Sequence, residues 1–199
     1  ERPTLKALNE ILPSRGECSE VPLGLVQIPT ERIVGTKTNG RSNAFSGNFM
    51  PVLKPDTEFA SKWIALSDSH MEEGIREPIK AYEYMNQFYV EEGNKRVSVL
   101  KYFDAVSIPG NVTRVIPPRT QELENKIYYE FLDFYEKTGV NYLWFSKLGS
   151  FKRLQLAVKG STEEIWTQND RLTFSSVYTR FSAEYKQRVP KDSTIHTGD

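Results

Sequence analysis

With 199 residues, and 26 Lys and Arg balanced by 26 Asp and Glu, the chain has room for one domain with an appendage or for two small domains, and no net charge. Neutrality excludes a whole-molecule basic field, so any contact with nucleic acid must come from a local patch or a bound ligand. The 11 Phe, 10 Tyr and 3 Trp supply enough large apolar surface for a packed core and exclude general disorder. A single cysteine, Cys18, excludes an internal disulfide framework and a multi-cysteine zinc site, and it favours a reducing, cytoplasmic compartment. His70 and His196 are the only histidines, too few for a histidine-based metal centre, so no metal site is expected. No apolar run approaches the roughly 18 residues of a membrane span. The start at Glu1 and the polar tail after residue 190 read as cuts in a longer protein.

In chain order, Leu5, Leu8, Ile11 and Leu12 recur at helical spacing before Pro13 and predict a short helix inside a polar lead of residues 1–20. Residues 21–28 read as a strand closed by Pro29. Residues 34–55 are dominated by Gly, Asn, Ser, Thr and Pro and predict a loop of about 20 residues, a length more often functional than idle. Asp56-Thr57 offers an N-cap for a helix that reaches Gly74. Residues 79–84 and 87–91 form two strand-like runs around Met85-Asn86, a hairpin by length and composition. A helix follows over 95–103. Residues 104–116 read as a short strand pair, or as a strand with a turn at Pro109-Gly110, closed by Pro117-Pro118.

Beyond residue 118 the pattern turns helical. Leu123, Ile127, Phe131 and Phe134 line one side of a helix over 122–137 that stops at Gly139. Further helices are predicted over 150–158, 161–168 and 173–186. The expected organisation is a lead (1–20), an α+β domain (21–118) with a small mixed sheet and flanking helices, and a mostly helical extension (119–199).

The informative stretch is residues 71–102. A glycine turn between a strand and a helix leaves the first amides of that helix unpaired at its positive dipole end. Lys95 and Arg96 add two cationic donors after Gly93 and Asn94, and such a place suits a phosphate. The plainer reading is a strand-turn-helix with two solvated basic residues. Cations are mildly unfavourable at a helix N-terminus, so the pair calls for compensation by Glu91 and Glu92 or by an anionic ligand.

Gly74-Ile-Arg-Glu-Pro-Ile79, two strands, and then Val90-Glu-Glu-Gly-Asn-Lys-Arg-Val-Ser-Val-Leu-Lys-Tyr102 together resemble the ParB/sulfiredoxin superfamily. There a helix ends in a glycine turn, two strands follow, and a Gly-Glu-Arg-Arg-type box opens the next helix. Val26-Gln-Ile-Pro-Thr-Glu-Arg-Ile33 resembles the opening strand of that family, and Gly40-Arg41 sits where an arginine-containing loop follows. The resemblance spans about residues 20–117.

It implies a nucleotide- or nucleic-acid-associated regulatory module with a phosphate-binding turn at Gly93, Asn94, Lys95 and Arg96, joined by Arg76 and Arg41. CTP, or ATP or ADP with Mg²⁺, is the implied ligand, and DNA would be reached through regions outside these residues. The alternative is a Mg²⁺-dependent phosphotransferase or nuclease using the same pocket, with Glu92 as base or metal ligand. Two departures narrow the choice. Sulfiredoxins carry a cysteine in the box where Asn94 stands here, which excludes sulfinic-acid reduction. Glu124-Asn125 lacks the downstream arginine of the ParB motif, and no helix-turn-helix is visible in 120–199, which argues against partition-complex function.

Other residues read more plainly. Asp68, His70, Glu72 and Glu73 look like a hydrated helix end, and Glu92 on a strand is more often a solvated charge. Tyr82, Tyr84, Phe88, Tyr89 and Tyr102 can stack bases, but spacing of this kind more often builds core. The aromatics of 122–137 (Tyr128, Tyr129, Phe131, Phe134, Tyr135) lie on more than one face, which suggests burial between domains or a protein-partner surface. Cys18 has no neighbouring histidine and makes a poor nucleophile. If the turn cradles phosphate, Arg96→Ala is expected to abolish binding with little loss of stability.

Overall fold

The computed structural model describes residues 5–13, 17–54 and 56–188, with the side chains of residues 41–43 outside that description. The chain divides into two compact units, Glu1–Pro118 and Arg119–Asp199. The first is α+β, a mixed six-stranded sheet with flanking helices, and the second is a helical extension.

In the first unit the strands are β1 (Lys6–Ala7), β2 (Ser19–Pro29), β3 (Ile33–Thr36), β4 (Ile79–Tyr84), β5 (Gln87–Glu92) and β6 (Ser107–Ile116). They lie in the order β1-β3-β5-β4-β6-β2. β1 with β3, β3 with β5, and β4 with β6 are parallel pairs. The β4–β5 hairpin and the β2–β6 pair are antiparallel. Helices α1 (Leu8–Ile11), α2 (Glu58–Glu73) and α3 (Asn94–Tyr102) complete the unit.

Local chemistry explains the best-predicted elements. Thr57 caps α2 by accepting the Ala60 amide at its Oγ1, and the helix ends at Gly74. Met85 and Asn86 both take positive φ (53° and 56°), the two-residue turn whose twist matches a hairpin. On β4, Ile79 and Ala81 enter a core with Ile28, Phe88, Val90, Val97, Leu100, Ile108 and Val112. Glu83 follows them at the same period of two and is fully buried, where its carboxylate takes the Arg114 Nε–H at 2.6 Å and the Asn86 amide at 2.6 Å. A buried carboxylate is tolerable only when paired and hydrogen-bonded in this way. Trp63 of α2 donates its indole N–H to Ser98 Oγ of α3 at 2.9 Å, which ties the two helices together.

Several elements differ from the sequence reading. The predicted helix after residue 5 is a two-residue strand and one helical turn, because Leu5 and Leu8 are drawn into the sheet's two apolar clusters as β1 pairs with β3. The predicted 34–55 loop contains β3 and a 3-10 turn (Asn39–Ala44), and it is anchored by the buried rings of Phe45 and Phe49. Residues 107–116 form one strand. Gly110 makes no turn there; a Cβ on it would lie 2.5 Å from Ile28 Cδ1, so the glycine marks close packing.

The second unit holds α4 (Leu123–Thr138), α5 (Ser150–Lys159) and α6 (Gln168–Arg188). Phe131 and Phe134 of α4 pack in tilted geometry against Phe151 of α5 with centroids 5.8 Å and 5.0 Å apart, and Phe134 meets Trp166 at 6.1 Å. The aromatics on the core side of α4 are thus packed inside their own unit. Residues 161–166 form no helix. Trp166 is buried, and its backbone amide is donated to Lys137 O at 2.8 Å, which closes the segment over the end of α4. α6 instead starts where Thr167 and Asp170 cap each other reciprocally, Thr167 N–H to Asp170 Oδ2 at 2.8 Å and Asp170 N–H to Thr167 Oγ1 at 3.2 Å. Among the described residues no helix is long and apolar enough to cross a membrane.

Candidate anion-binding site at the start of α3

β5 ends at Glu92 and the chain turns at Gly93, whose φ of 105° lies in the left-handed region. A Cβ there would sit 2.6 Å from Ile79 Cγ2, so both conformation and space demand glycine. The first helical hydrogen bond runs from the Val97 amide to Gly93 O at 3.0 Å, and Gly93 offers no side chain to cap the amides before it.

The basic residues after this turn diverge. Lys95 places Nζ 5.4 Å from the ring centroid of Phe59. Arg96 turns back over the chain, its Nη1 donating to Glu77 O at 3.0 Å and Pro78 O at 2.8 Å, and lies 3.7 Å from the Glu77 carboxylate. Its side chain is only 22% exposed. Part of its bonding capacity therefore serves to hold the segment that leads into β4. Asn94 is buried, and its Oδ1 has no hydrogen-bond partner.

Arg96 also faces a cleft of about 730 Å³. The cleft runs between Leu66, Ser69, Glu72 and Glu73 of α2, the turn at residues 74–77, and Arg96. Arg76 in that turn brings a second guanidinium, and Glu77 brings a third carboxylate beside Glu72 and Glu73. Both signs of charge thus line one concavity, which suits a ligand with an anionic group and a donor-rich part.

Of the predicted site residues, the structure brings Arg76 and Arg96 together on this cleft. Gly93 shapes its approach, while Asn94 and Lys95 are not among the lining residues. Glu92 is exposed and paired with Lys80 at 3.0 Å, outside the cleft lining. Arg41 lies in the 3-10 turn Asn39–Ala44, and its side chain is outside the described residues. Among the described residues no group of three or more His, Cys, Asp or Glu is arranged to hold a metal ion.

Sequence reasoning passed over Glu72 and Glu73, which looked like solvated helix-end charges, and also His70. The imidazole Nδ1 of His70 accepts the Ile75 amide at 3.2 Å at the mouth of the turn. The available signal was their position directly before Gly74-Ile-Arg76.

Elsewhere, Lys37 bridges Glu91 (2.8 Å) and Tyr82 (2.9 Å), and the bond to Glu91, followed by that to Tyr82, raises its pKa. Lys101 is pulled the other way. Burial brings it down to about 8, with Glu31 opposing, while Nζ donates to Ile33 O at 2.7 Å.

No family model matches this chain, and no curated protein matches it either. Among solved structures it is similar to the crystal structure of sulfiredoxin from Arabidopsis thaliana, at 19% identity and a TM-score of 0.30, over 44% of this chain and 82% of that one.

Proposed function

We propose that the cleft beside α3 binds a nucleotide, with CTP, ATP and ADP as the candidates, and that the 1–118 unit is a nucleotide-responsive regulatory module of the ParB/sulfiredoxin type. The observation that carries this reading is the meeting of Arg76 and Arg96 on one cleft next to a glycine-opened helix start. Phosphates suit the two guanidiniums. Glu72, Glu73 and Glu77 supply acceptors for the amino group of a base or the hydroxyls of a ribose. The glycine-basic order of residues 93–96 supports the same reading from the sequence side.

The test is calorimetric titration and thermal shift of the whole chain with CTP, ATP and ADP, each with and without Mg²⁺. A ligand at 100 times its Kd raises apparent stability by about 2.7 kcal/mol. Arg76→Ala is the informative variant, because Arg76 is exposed. It is expected to weaken binding by roughly tenfold to a hundredfold, the value of about 1.5–3 kcal/mol for one charge-assisted contact. Absence of binding by all three nucleotides overturns the proposal. Product formation in the Mg²⁺ arms would replace it with phosphoryl transfer or hydrolysis.

A further inference from the structure

The two guanidiniums that line the cleft are engaged to different degrees. Arg76 is exposed and, among the described residues, makes no ion pair or hydrogen bond. Arg96 is only 22% exposed, and its Nη1 donates to Glu77 O at 3.0 Å and to Pro78 O at 2.8 Å. The carboxylate of Glu77 lies 3.7 Å from the same nitrogen, on a side chain that is 86% exposed. One residue thus addresses Arg96 twice, with its carbonyl by hydrogen bond and with its carboxylate by charge. Nη2 lies close to Gly93, 3.3 Å from where a Cβ would stand, so the guanidinium reaches from the turn to the start of α3.

A carboxylate oxygen offers a guanidinium the same anionic acceptor as a phosphate oxygen. At 3.7 Å Glu77 is beyond hydrogen-bond reach of Nη1 and attracts it through space. Such an exposed pair adds little to stability. It does put a negative charge beside the cation that an incoming anion needs, so a ligand that takes Arg96 has to drive that charge away. The Glu77 carbonyl can stay on Nη1 while the exposed carboxylate changes rotamer, and the exchange then leaves the turn in place.

We propose that Glu77 is an internal competitor for Arg96. Its carboxylate holds the second guanidinium of the cleft until a phosphate takes its place, while Arg76 stays open to the ligand throughout. This deepens the nucleotide reading and rests on it for the identity of the ligand, whereas the competition itself concerns any polyphosphate. Once displaced, the carboxylate is available to the donors of a base or a ribose.

The probe is inorganic tripolyphosphate, titrated calorimetrically at low salt into the full chain as native protein, Glu77→Gln and Glu73→Gln. Glutamine keeps the size of the side chain and the backbone carbonyl, and removes the charge. Glu77→Gln is expected to bind tripolyphosphate about threefold to tenfold more tightly than the native protein. Glu73→Gln removes the same charge from the last residue of α2, another part of the cleft lining, and is expected to gain less. CTP and ATP are titrated into the native protein alongside.

Equal affinity of native protein and Glu77→Gln for tripolyphosphate overturns the proposal. So does an equal gain in Glu73→Gln, which makes the effect one of net charge, and so does absence of tripolyphosphate binding by Glu77→Gln. The nucleotide reading is judged apart from this. It falls if neither CTP nor ATP binds while tripolyphosphate still prefers Glu77→Gln, and it stands if they bind while Glu77→Gln shows no gain.

Discussion

Arg76 and Arg96 share a cleft, but truncating them has different costs. Arg96 gives two hydrogen bonds to the carbonyls of Glu77 and Pro78, two exposed residues, so Arg96→Ala leaves those carbonyls to water. Its expected penalty is about 0.5–1.5 kcal/mol, where the sequence alone suggested almost none. Arg76→Ala is expected to stay within about 0.5 kcal/mol of the native protein. Urea denaturation of the two variants side by side reads the difference. Lys101 gives a pH signature. Burial lowers its folded pKa to about 8, below the roughly 10.4 of the unfolded chain. Between those values the unfolded chain holds more protons, so stability rises with pH there, by no more than about 1.4 kcal/mol per pH unit. Lys101→Met removes that rise, and chemical denaturation at pH 8, 9 and 10 measures it. The residues that make the turn were legible because Gly93 and its basic neighbours are consecutive. The second use of Arg96 was not, because residues 77–78 reach it only through the β4–β5 hairpin.

Elements whose ends carry their own chemistry were readable, and those set by packing were not. Thr57 and Gly74 bracket α2 in the sequence as they do in the structure, and Met85-Asn86 announces its hairpin. Gly110, by contrast, has the composition of a turn and the role of a spacer between Ile28 and Ile79, a fact that needs three strands to see. The helix predicted over 161–168 yielded to burial of Trp166, an override of local propensity by tertiary contact. Gly93 belongs with the decisive ends. Gly93→Ala must hold a left-handed φ and push against Ile79, so its expected cost is about 2–4 kcal/mol. A lowered thermal midpoint, with Lys95→Ala close to native as a control, is the result that checks it.

At the scale of the molecule, each unit has its own apolar interior, aliphatic and mixed around the sheet and largely aromatic between α4 and α5. Residues 1–118 produced alone are expected to unfold in one cooperative transition by circular dichroism. Residues 1–106 are expected to show none, because among the described residues β6 is the sole neighbour of β2 in the sheet and one of the two neighbours of β4. The alternation of residues 79–92 made the middle of the sheet readable. Its order was not readable, because the pairing of β2 with β6 joins segments from opposite ends of the unit.

That pairing also sets a schedule. Ser19 meets Ile116 and Pro29 meets Ser107, so β2 leaves the ribosome long before its neighbour exists. At 5–20 residues per second the wait is on the order of ten seconds. Throughout it an eleven-residue segment with Val21, Leu23, Leu25, Val26 and Ile28 has no native strand to join. Loops closed over such distances form slowly, and nascent chains of this unit are most open to chaperones, and to one another, during that interval.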